Sequence, residues 1–164
     1  MNVVTESVIT GSVKERIDQW IARYPEDQKQ SAVMASLRIV QETQGGYLTP
    51  ELMDQVAAYL DMPPAAVYEV ATFYSNYEHQ PVGKHKICVC NSVSCMLRGS
   101  EEILAHLENK FDIKSGEVSH DGRFSIKKVE CLGACGGAPM MQIGKTYYEN
   151  LTESSVDKIL DGLE

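Results

Sequence analysis

Lys84-His85-Lys86-Ile87-Cys88-Val89-Cys90 is the stretch of the sequence that decides the fold, because it predicts a β-strand that ends on a cysteine. Cys95 follows after four residues and completes a first cysteine pair. Cys88 is two residues before Cys90, so it shares a face of the strand with Cys90 but lies further from the loop. We therefore predict that Cys88 is a buried thiol that does not act as a ligand.

A second cysteine pair follows another predicted strand. Residues Arg123 to Glu130 alternate in polarity and lead directly to Cys131, and Cys135 comes after three more residues. Four thiolates from two separate loops are the ligand set of a tetrahedral metal ion or of a small iron–sulfur cluster. The chemistry of the chain therefore depends on what these four cysteines hold.

The residues around the two pairs predict a small α+β domain. Its elements in chain order are a strand at 84–90, a helix at 97–111, a strand at 123–130, a hairpin of 138–143 with 146–148, and a last helix capped by Thr152. The order strand, helix, strand, hairpin, helix is that of a thioredoxin-like domain. Both cysteine pairs would then lie just after strands, in loops at one end of the sheet.

The first eighty residues predict helices and no strands. Four helices are expected: one capped by Ser12 with Glu15 and stopped by Pro25, one from Asp27 to Thr43, one opened by Thr49-Pro50 and one opened by Pro63-Pro64. The polar segment from Tyr77 to Gly83 contains Pro81 and ends this pattern. We predict an N-terminal helical bundle at 1–80 and a thioredoxin-like domain at 81–164.

Composition excludes several classes of protein. The chain has 164 residues, 43% hydrophobic and 23% charged, with a net charge of −8, which is ordinary for a globular protein and unlike the basic surface that binds nucleic acid or anionic lipid. It has neither a membrane-spanning apolar run nor the pattern of a signal peptide, so a cytoplasmic location is expected. Thiols stay reduced there, which favours metal binding or redox chemistry over disulfides.

Spacing alone leaves three interpretations of the cysteines open. Zinc tolerates separations of two to four residues, but its usual C-x2-C knuckle is absent. Thiol–disulfide exchange would require a C-x-x-C motif, which is absent too. A [2Fe–2S] cluster needs two cysteines per iron in open loops, and the glycines Gly133, Gly136 and Gly137 leave backbone N–H groups free to bond its sulfurs. The cluster is the favoured interpretation, with zinc second.

The two cysteine segments resemble a known family. Residues 90–99 (CNSVSCMLRG) and 130–140 (ECLGACGGAPM) closely resemble the NuoE-type [2Fe–2S] subunit of respiratory NADH:ubiquinone oxidoreductase, complex I. The likeness extends upstream to 36–41, 45–48 and 70–74, and to Asp121-Gly122-Arg123-Phe124 before the second pair. It covers about residues 12 to 163.

The resemblance implies a fold, a cofactor and a partner. It implies a helical bundle joined to a thioredoxin-like [2Fe–2S] ferredoxin domain, with Cys90, Cys95, Cys131 and Cys135 as the cluster ligands. It also implies an electron-transfer subunit of an NADH dehydrogenase that packs against a flavoprotein subunit holding FMN and NAD, with other peripheral-arm subunits nearby. The sequence has no glycine-rich dinucleotide loop of its own, so no catalytic residue is assigned and the isolated chain is not expected to oxidise NADH. It would be peripheral to the inner membrane through the complex.

Two further functions remain open from the sequence. The first is the small [2Fe–2S] subunit of an NAD-linked hydrogenase or formate dehydrogenase, whose electron-input module is built alike. The second is a zinc-stabilised interaction module without redox activity. Among other residues, the aromatic group Phe73, Tyr74 and Tyr77 predicts a helix packing face, with docking against a partner as the alternative, and the four histidines are expected to be surface residues.

Overall fold

A computed structural model describes residues 7–163 of the chain. The beginning of the predicted first domain, residues 1–6, and the last residue of the second lie outside the described residues. The chain divides into two compact units, the first ending at Pro81 and the second beginning at Val82. No helix within the described part of the chain has the length and apolar character needed to cross a membrane.

The first unit is helical. Its elements are α1 (Gly11–Ile21), a 3-10 helix (Glu26–Ala32), α2 (Val33–Thr43), α3 (Pro50–Tyr59) and α4 (Pro64–Phe73). Helix α2 contacts each of the other three α-helices. Their apolar faces meet in one core, and Ile17, Leu37, Val56 and Val67 are completely buried there.

Two of the predicted helix starts in this unit are confirmed and one is wrong. Thr49 is the N-cap of α3, where its hydroxyl accepts a hydrogen bond from the Leu52 N–H at 3.3 Å, and α4 begins at Pro64. Ser12, however, does not cap α1, because the helix begins one residue earlier at Gly11 and Thr10 stands at the cap position.

The second predicted helix, expected to run from Asp27 to Thr43, is interrupted. Its first part is the 3-10 helix, in which Gln28 has non-helical backbone angles, and the α-helix begins only at Val33. The apolar residues on which the helix prediction was based begin only at Val33. The prediction was therefore accurate at the C-terminal end of the helix, Thr43, and wrong at its N-terminal end.

The second unit is an α+β domain, which confirms the predicted fold class. Its elements are β1 (His85–Cys90), α5 (Val93–Leu97), α6 (Ser100–Phe111), β2 (Phe124–Val129), a 3-10 helix (Cys135–Gly137), β3 (Met141–Ile143), β4 (Thr146–Tyr148) and α7 (Glu153–Asp161). The strand order in the sheet is β2-β1-β3-β4. Strands β1 and β2 are parallel, whereas β3 is antiparallel to β1 and β4 is antiparallel to β3.

Helices α6 and α7 supply the core of this unit. Helix α6 contacts β1, β2 and α7, and Ile87, Leu107 and Val156 are completely buried between them. Thr152 caps α7 as predicted, in a reciprocal pair of hydrogen bonds with Ser155.

The predicted helix at 97–111 is wrong at its beginning. The chain forms two helices there, α5 and α6, separated by Gly99 with φ of +96°. A positive φ is the conformation that glycine adopts at no steric cost, so Gly99 allows α6 to start in a new direction directly after the first cysteine pair.

Candidate metal centre

The sheet brings the two cysteine pairs to the same edge. Parallel pairing of β1 and β2 places Cys90 opposite Val129, each as the last residue of its strand. Cys131 follows two residues later, and the Asn91 N–H bonds the Val129 carbonyl at 2.9 Å just beyond the last paired residues. The prediction that both pairs follow strands at one end of the sheet is therefore confirmed.

The first pair is buried. Cys90 ends β1 and Cys95 lies in the middle of α5, so a short helix returns the chain to the edge it has just left. The two side chains are only 2% and 1% exposed, and they pack with Ala138 and Met140. The Cys90 N–H also bonds the Met140 carbonyl at 3.2 Å, which ties this pair to the segment after the second pair.

The second pair is exposed. Cys131 and Cys135 lie in a glycine-rich loop, and their Sγ atoms are 3.5 Å apart. Gly133 has φ of +84° and directs its N–H to Cys131 Sγ at 3.4 Å. The loop therefore holds two thiols side by side with a backbone donor aimed at one of them, as expected from the glycines.

The two buried thiols have pKa values that are shifted in opposite directions. Burial acts to raise the pKa of Cys90, but N–H groups of Ser92 and Leu132 and the neighbouring Cys95 thiol bond its sulfur, and the net pKa is lowered. Burial raises the pKa of Cys95 to about 11, with Cys90 adding to the effect, although the Met140 N–H opposes it. These shifts favour a thiolate at Cys90, whereas Cys95 would have to release its proton when its sulfur binds a metal.

The two pairs also act on each other electrostatically. A hydrogen bond and the charge of Cys131 raise the pKa of Cys135, and the charge of Cys90 contributes in the same direction. The Cys90 sulfur, in turn, accepts a hydrogen bond from Leu132, which lies between the cysteines of the second pair. The two pairs therefore lie close enough to influence each other's charge.

The donor set fits a [2Fe–2S] cluster. Within residues 7–163, no group of three or more histidine, cysteine, aspartate or glutamate side chains is already arranged to hold a metal ion, so the fit depends on the chemistry of the thiols. The thiols are organised as two pairs, and an iron–sulfur cluster accepts four cysteine ligands with hydrogen bonds to sulfur. Backbone N–H groups of Ser92, Leu132, Gly133 and Met140 already bond the cysteine sulfurs.

Several features of the site could not be obtained from the sequence. Cys88 is half-buried, so the prediction of a buried thiol there is wrong: burial in β1 follows Ile87, Val89 and Cys90. Helix α5 was missed, because five residues are too few to show a helical period. Gly137 is buried beneath the Glu149 side chain, a contact for which the sequence carries no signal.

A thioredoxin-like sheet with two cysteine pairs converging at one edge defines a class of protein, the cysteine-ligated ferredoxins built on this fold. Residues 17–164 match the family described as thioredoxin-like [2Fe-2S] ferredoxin. The chain belongs to this family, and the [2Fe–2S] cluster is the cofactor that the family name gives.

Relatives in the family are similar over almost the whole chain. The E subunit of the NADH-quinone oxidoreductase of Rickettsia bellii is 43% identical over 87% of this chain and 86% of its own length. An E subunit of the NADH-quinone oxidoreductase of Rhizobium meliloti, the one numbered 2, is 41% identical over 92% of this chain and 88% of its own length. The resemblance stated from the sequence is therefore confirmed.

A solved structure agrees on the fold. The crystal structure of an NAD+-reducing [NiFe]-hydrogenase in the H2-reduced state matches with a TM-score of 0.65 and 20% identity, over 76% of this chain and 21% of that chain. At this identity the match shows a shared fold and nothing about function. The chain corresponds to about a fifth of that larger polypeptide.

Proposed function

We propose that this chain is the electron-transfer subunit of an NADH:quinone oxidoreductase and that Cys90, Cys95, Cys131 and Cys135 ligate its single [2Fe–2S] cluster. The observation that carries the proposal is the convergence of the two cysteine pairs at one edge of a thioredoxin-like sheet. The relatives named as E subunits, which align over most of their own lengths, support the assignment to this enzyme.

The residues of the chain have distinct roles in this proposal. When bound, the cluster accepts and donates one electron at a time. Cys90 and Cys95 provide the buried half of the ligand set, and Cys131 and Cys135 provide the half that is open to solvent. The N–H groups aimed at the sulfurs stabilise the negative charge that the site gains on reduction.

The electron donor is proposed to lie on another subunit. Hydride transfer delivers two electrons, whereas the cluster takes one, so a flavin is needed between NADH and this chain. Because the sequence has no glycine-rich nucleotide loop, we place both FMN and NAD on a flavoprotein partner.

The exposed side of the site has the character of a docking surface. Val93, Met96 and Leu97 on α5 are 64%, 43% and 77% exposed, and Tyr147 is 45% exposed while its hydroxyl bonds the Leu132 carbonyl at 2.8 Å. Exposed apolar side chains on the helix that carries Cys95, and Tyr147 beside the loop of the exposed pair, support close contact with the donor subunit. We expect an interface above roughly 2,000 Å² in total, as in permanent complexes.

The two units are proposed to divide the work. The second, residues 81–164, carries the cluster, and the helical domain at 1–80 contributes to assembly with the flavin-binding subunit and with other subunits of the peripheral arm. We propose that the chain is held at the cytoplasmic side of the inner membrane through the complex, since the quinone acceptor named for the relatives is a membrane-dissolved molecule.

Spectroscopy tests the cofactor. The purified chain should show visible absorption bands that bleach with dithionite, and two irons with two sulfides by analysis. A colourless protein containing zinc would contradict the proposal. The isolated, flavin-free chain should not reduce a dye with NADH, and robust activity there would contradict the placement of FMN and NAD.

Co-expression tests the partner. The chain and the flavin-binding subunit from the same genome should elute as a stable pair on gel filtration at micromolar concentration. Separate elution, with cluster and FMN both intact, would remove the main support for a subunit role.

A further inference from the structure

The helical unit carries a groove between α3 and α4 that the cluster site does not use. The groove is open, has a volume of about 510 Å³, and its walls combine acidic and apolar side chains. Its lining residues are Asp54, Pro64, Ala65, Tyr68, Glu69 and Thr72.

Tyr68 forms a fixed part of this groove. Its hydroxyl reaches from α4 to the first residue of α3, where it donates a hydrogen bond to the Pro50 carbonyl at 3.2 Å. Thr72, one turn further along α4, bonds the Tyr68 carbonyl at 2.8 Å. The Tyr68 hydroxyl thus links α4 to the first residue of α3.

The potential in the groove is negative. Asp54 and Glu69 line it on opposite helices. Burial raises the pKa of Tyr68, and the charge of Asp54, its hydrogen bond with Tyr68 and the charge of Glu51 raise it further.

The sequence around the groove contains no compensating cation. Between Arg38 and Lys84 there is neither lysine nor arginine. The acidic residues in this interval are Glu42, Glu51, Asp54, Asp61, Glu69 and Glu78. Two of them, Glu42 and Asp61, pair with Arg16 and Lys29 from earlier in the chain, and neither lines the groove.

Two exposed aromatic rings follow the groove residue Thr72 in sequence, at the end of α4. Phe73 is 79% exposed and Tyr74 is 39% exposed, and the two rings meet edge to face with centroids 5.0 Å apart. A large apolar side chain in solvent next to a negative groove is typical of a surface that binds a protein partner. The packing role predicted for this aromatic group applies only to Tyr77, which is 3% exposed.

We propose that this groove binds a cationic segment of the flavin-binding subunit, with an arginine or lysine between Asp54 and Glu69 and an adjacent apolar side chain over Phe73. Charge complementarity selects the occupant, because a run of carboxylates beside exposed aromatic rings matches basic and apolar side chains and repels acidic ones. The inference deepens the proposed function and rests on it only for the identity of the partner.

A double charge reversal tests the groove. The full chain with Asp54→Lys and Glu69→Lys should bind the flavin-binding subunit roughly ten-fold or more weakly at low salt, and the difference should shrink as salt is raised. The matched control is Glu15→Lys with Glu26→Lys, which changes the net charge equally on exposed positions of the same unit. Equal weakening by the control would overturn the proposal, and so would equal binding by the groove variant.

Crosslinking identifies the occupant. A photo-reactive phenylalanine analogue in place of Thr72 should crosslink to a peptide of the flavin-binding subunit that contains arginine or lysine beside an apolar residue. Crosslinks to a second copy of this chain, or to an acidic peptide, would overturn the proposal. If the wild-type chain does not bind the subunit at all, the proposed function is contradicted as well. If the wild-type chain binds with an intact cluster spectrum but the groove variant and the control bind equally well, only the groove proposal is contradicted.

Discussion

The two cysteine pairs are held by different kinds of structure. Cys90 and Cys95 are at the end of a central strand and in a short helix, almost completely buried. Cys131 and Cys135 lie in an exposed loop shaped by glycines. The buried pair is positioned by the sheet and by its packing against Ala138 and Met140. The exposed pair depends on local backbone geometry, and the cofactor would be its main further constraint.

The largest expected effect is the loss of the cluster. Cys95→Ala and Cys131→Ala should each abolish or cripple its assembly, because both pairs are needed to complete the set of four thiolate ligands. Iron and sulfide analysis of the purified variants measures this.

Cys88→Ser is the control for those variants, since Cys88 shares the strand with Cys90 but is outside the proposed ligand set. If Cys88→Ser loses its iron and Cys90→Ser keeps a normal cluster, the ligand assignment is wrong.

A smaller effect is expected from crowding the loop of the exposed pair. In Gly137→Ala, the new Cβ would overlap the Glu149 carboxylate and lie 2.7 Å from the Glu149 Cβ. Displacing that side chain should destabilise the chain by about 1–3 kcal/mol, measured by urea unfolding.

Gly136→Ala is the matched control, because a Cβ there meets nothing within 4 Å. It should stay within about 0.5 kcal/mol of wild type. Glu149→Gly removes both the carboxylate and the Cβ that the new side chain would meet, so adding Gly137→Ala to Glu149→Gly should cost much less than adding it to wild type. An equal cost in the two backgrounds would show that the Glu149 contact is not its cause.

The next prediction compares the pairs directly. Without metal, Cys95→Ala should lower the free energy of unfolding by about 1 kcal/mol, because it removes a buried side chain packed with Met140. Cys135→Ala should change it by less than about 0.5 kcal/mol, because that side chain is exposed. Equal losses in the two metal-free variants would contradict the difference in packing that separates the pairs.

Sequence reasoning reached most of the fold and the residues of the site, but not this difference. The caps at Thr49 and Thr152 were predictable because the threonine hydroxyl accepts a hydrogen bond from a backbone N–H only three residues later, so the effect is local in sequence. Cap prediction failed at Ser12, where the chain enters α1 through Gly11 with φ of +48°. Each cysteine pair follows a predicted strand, and this position was enough to predict that both pairs lie at the same edge of the sheet.

Burial of one pair and exposure of the other depends on contacts between distant segments. Met140 comes from the segment between the second pair and β3 and covers the first pair. Neither the cysteine spacing nor the periodicity carries that information, because the more polar spacer, residues 91–94, belongs to the buried pair. The same holds for α5, whose five residues give one turn only.

The smallest expected effect is a pH dependence of the free energy of unfolding, caused by an ionic contact between α6 and α7. Lys110 bonds Asp157 at 2.7 Å and His106 bonds it at 2.9 Å, and these contacts hold the pKa of Asp157 below its usual value. A carboxyl whose pKa is lower in the folded state than in the unfolded state contributes stability above its unfolded pKa, about 3.9. That contribution is lost as the pH falls through the folded pKa. Asp157→Asn should therefore lower the urea midpoint slightly at pH 7 and leave it unchanged at about pH 2. Glu101→Gln, at an exposed position in the first turn of α6, serves as the control. A difference from wild type that is as large in acid as at neutral pH would show that Asp157 acts through packing and not through its charge.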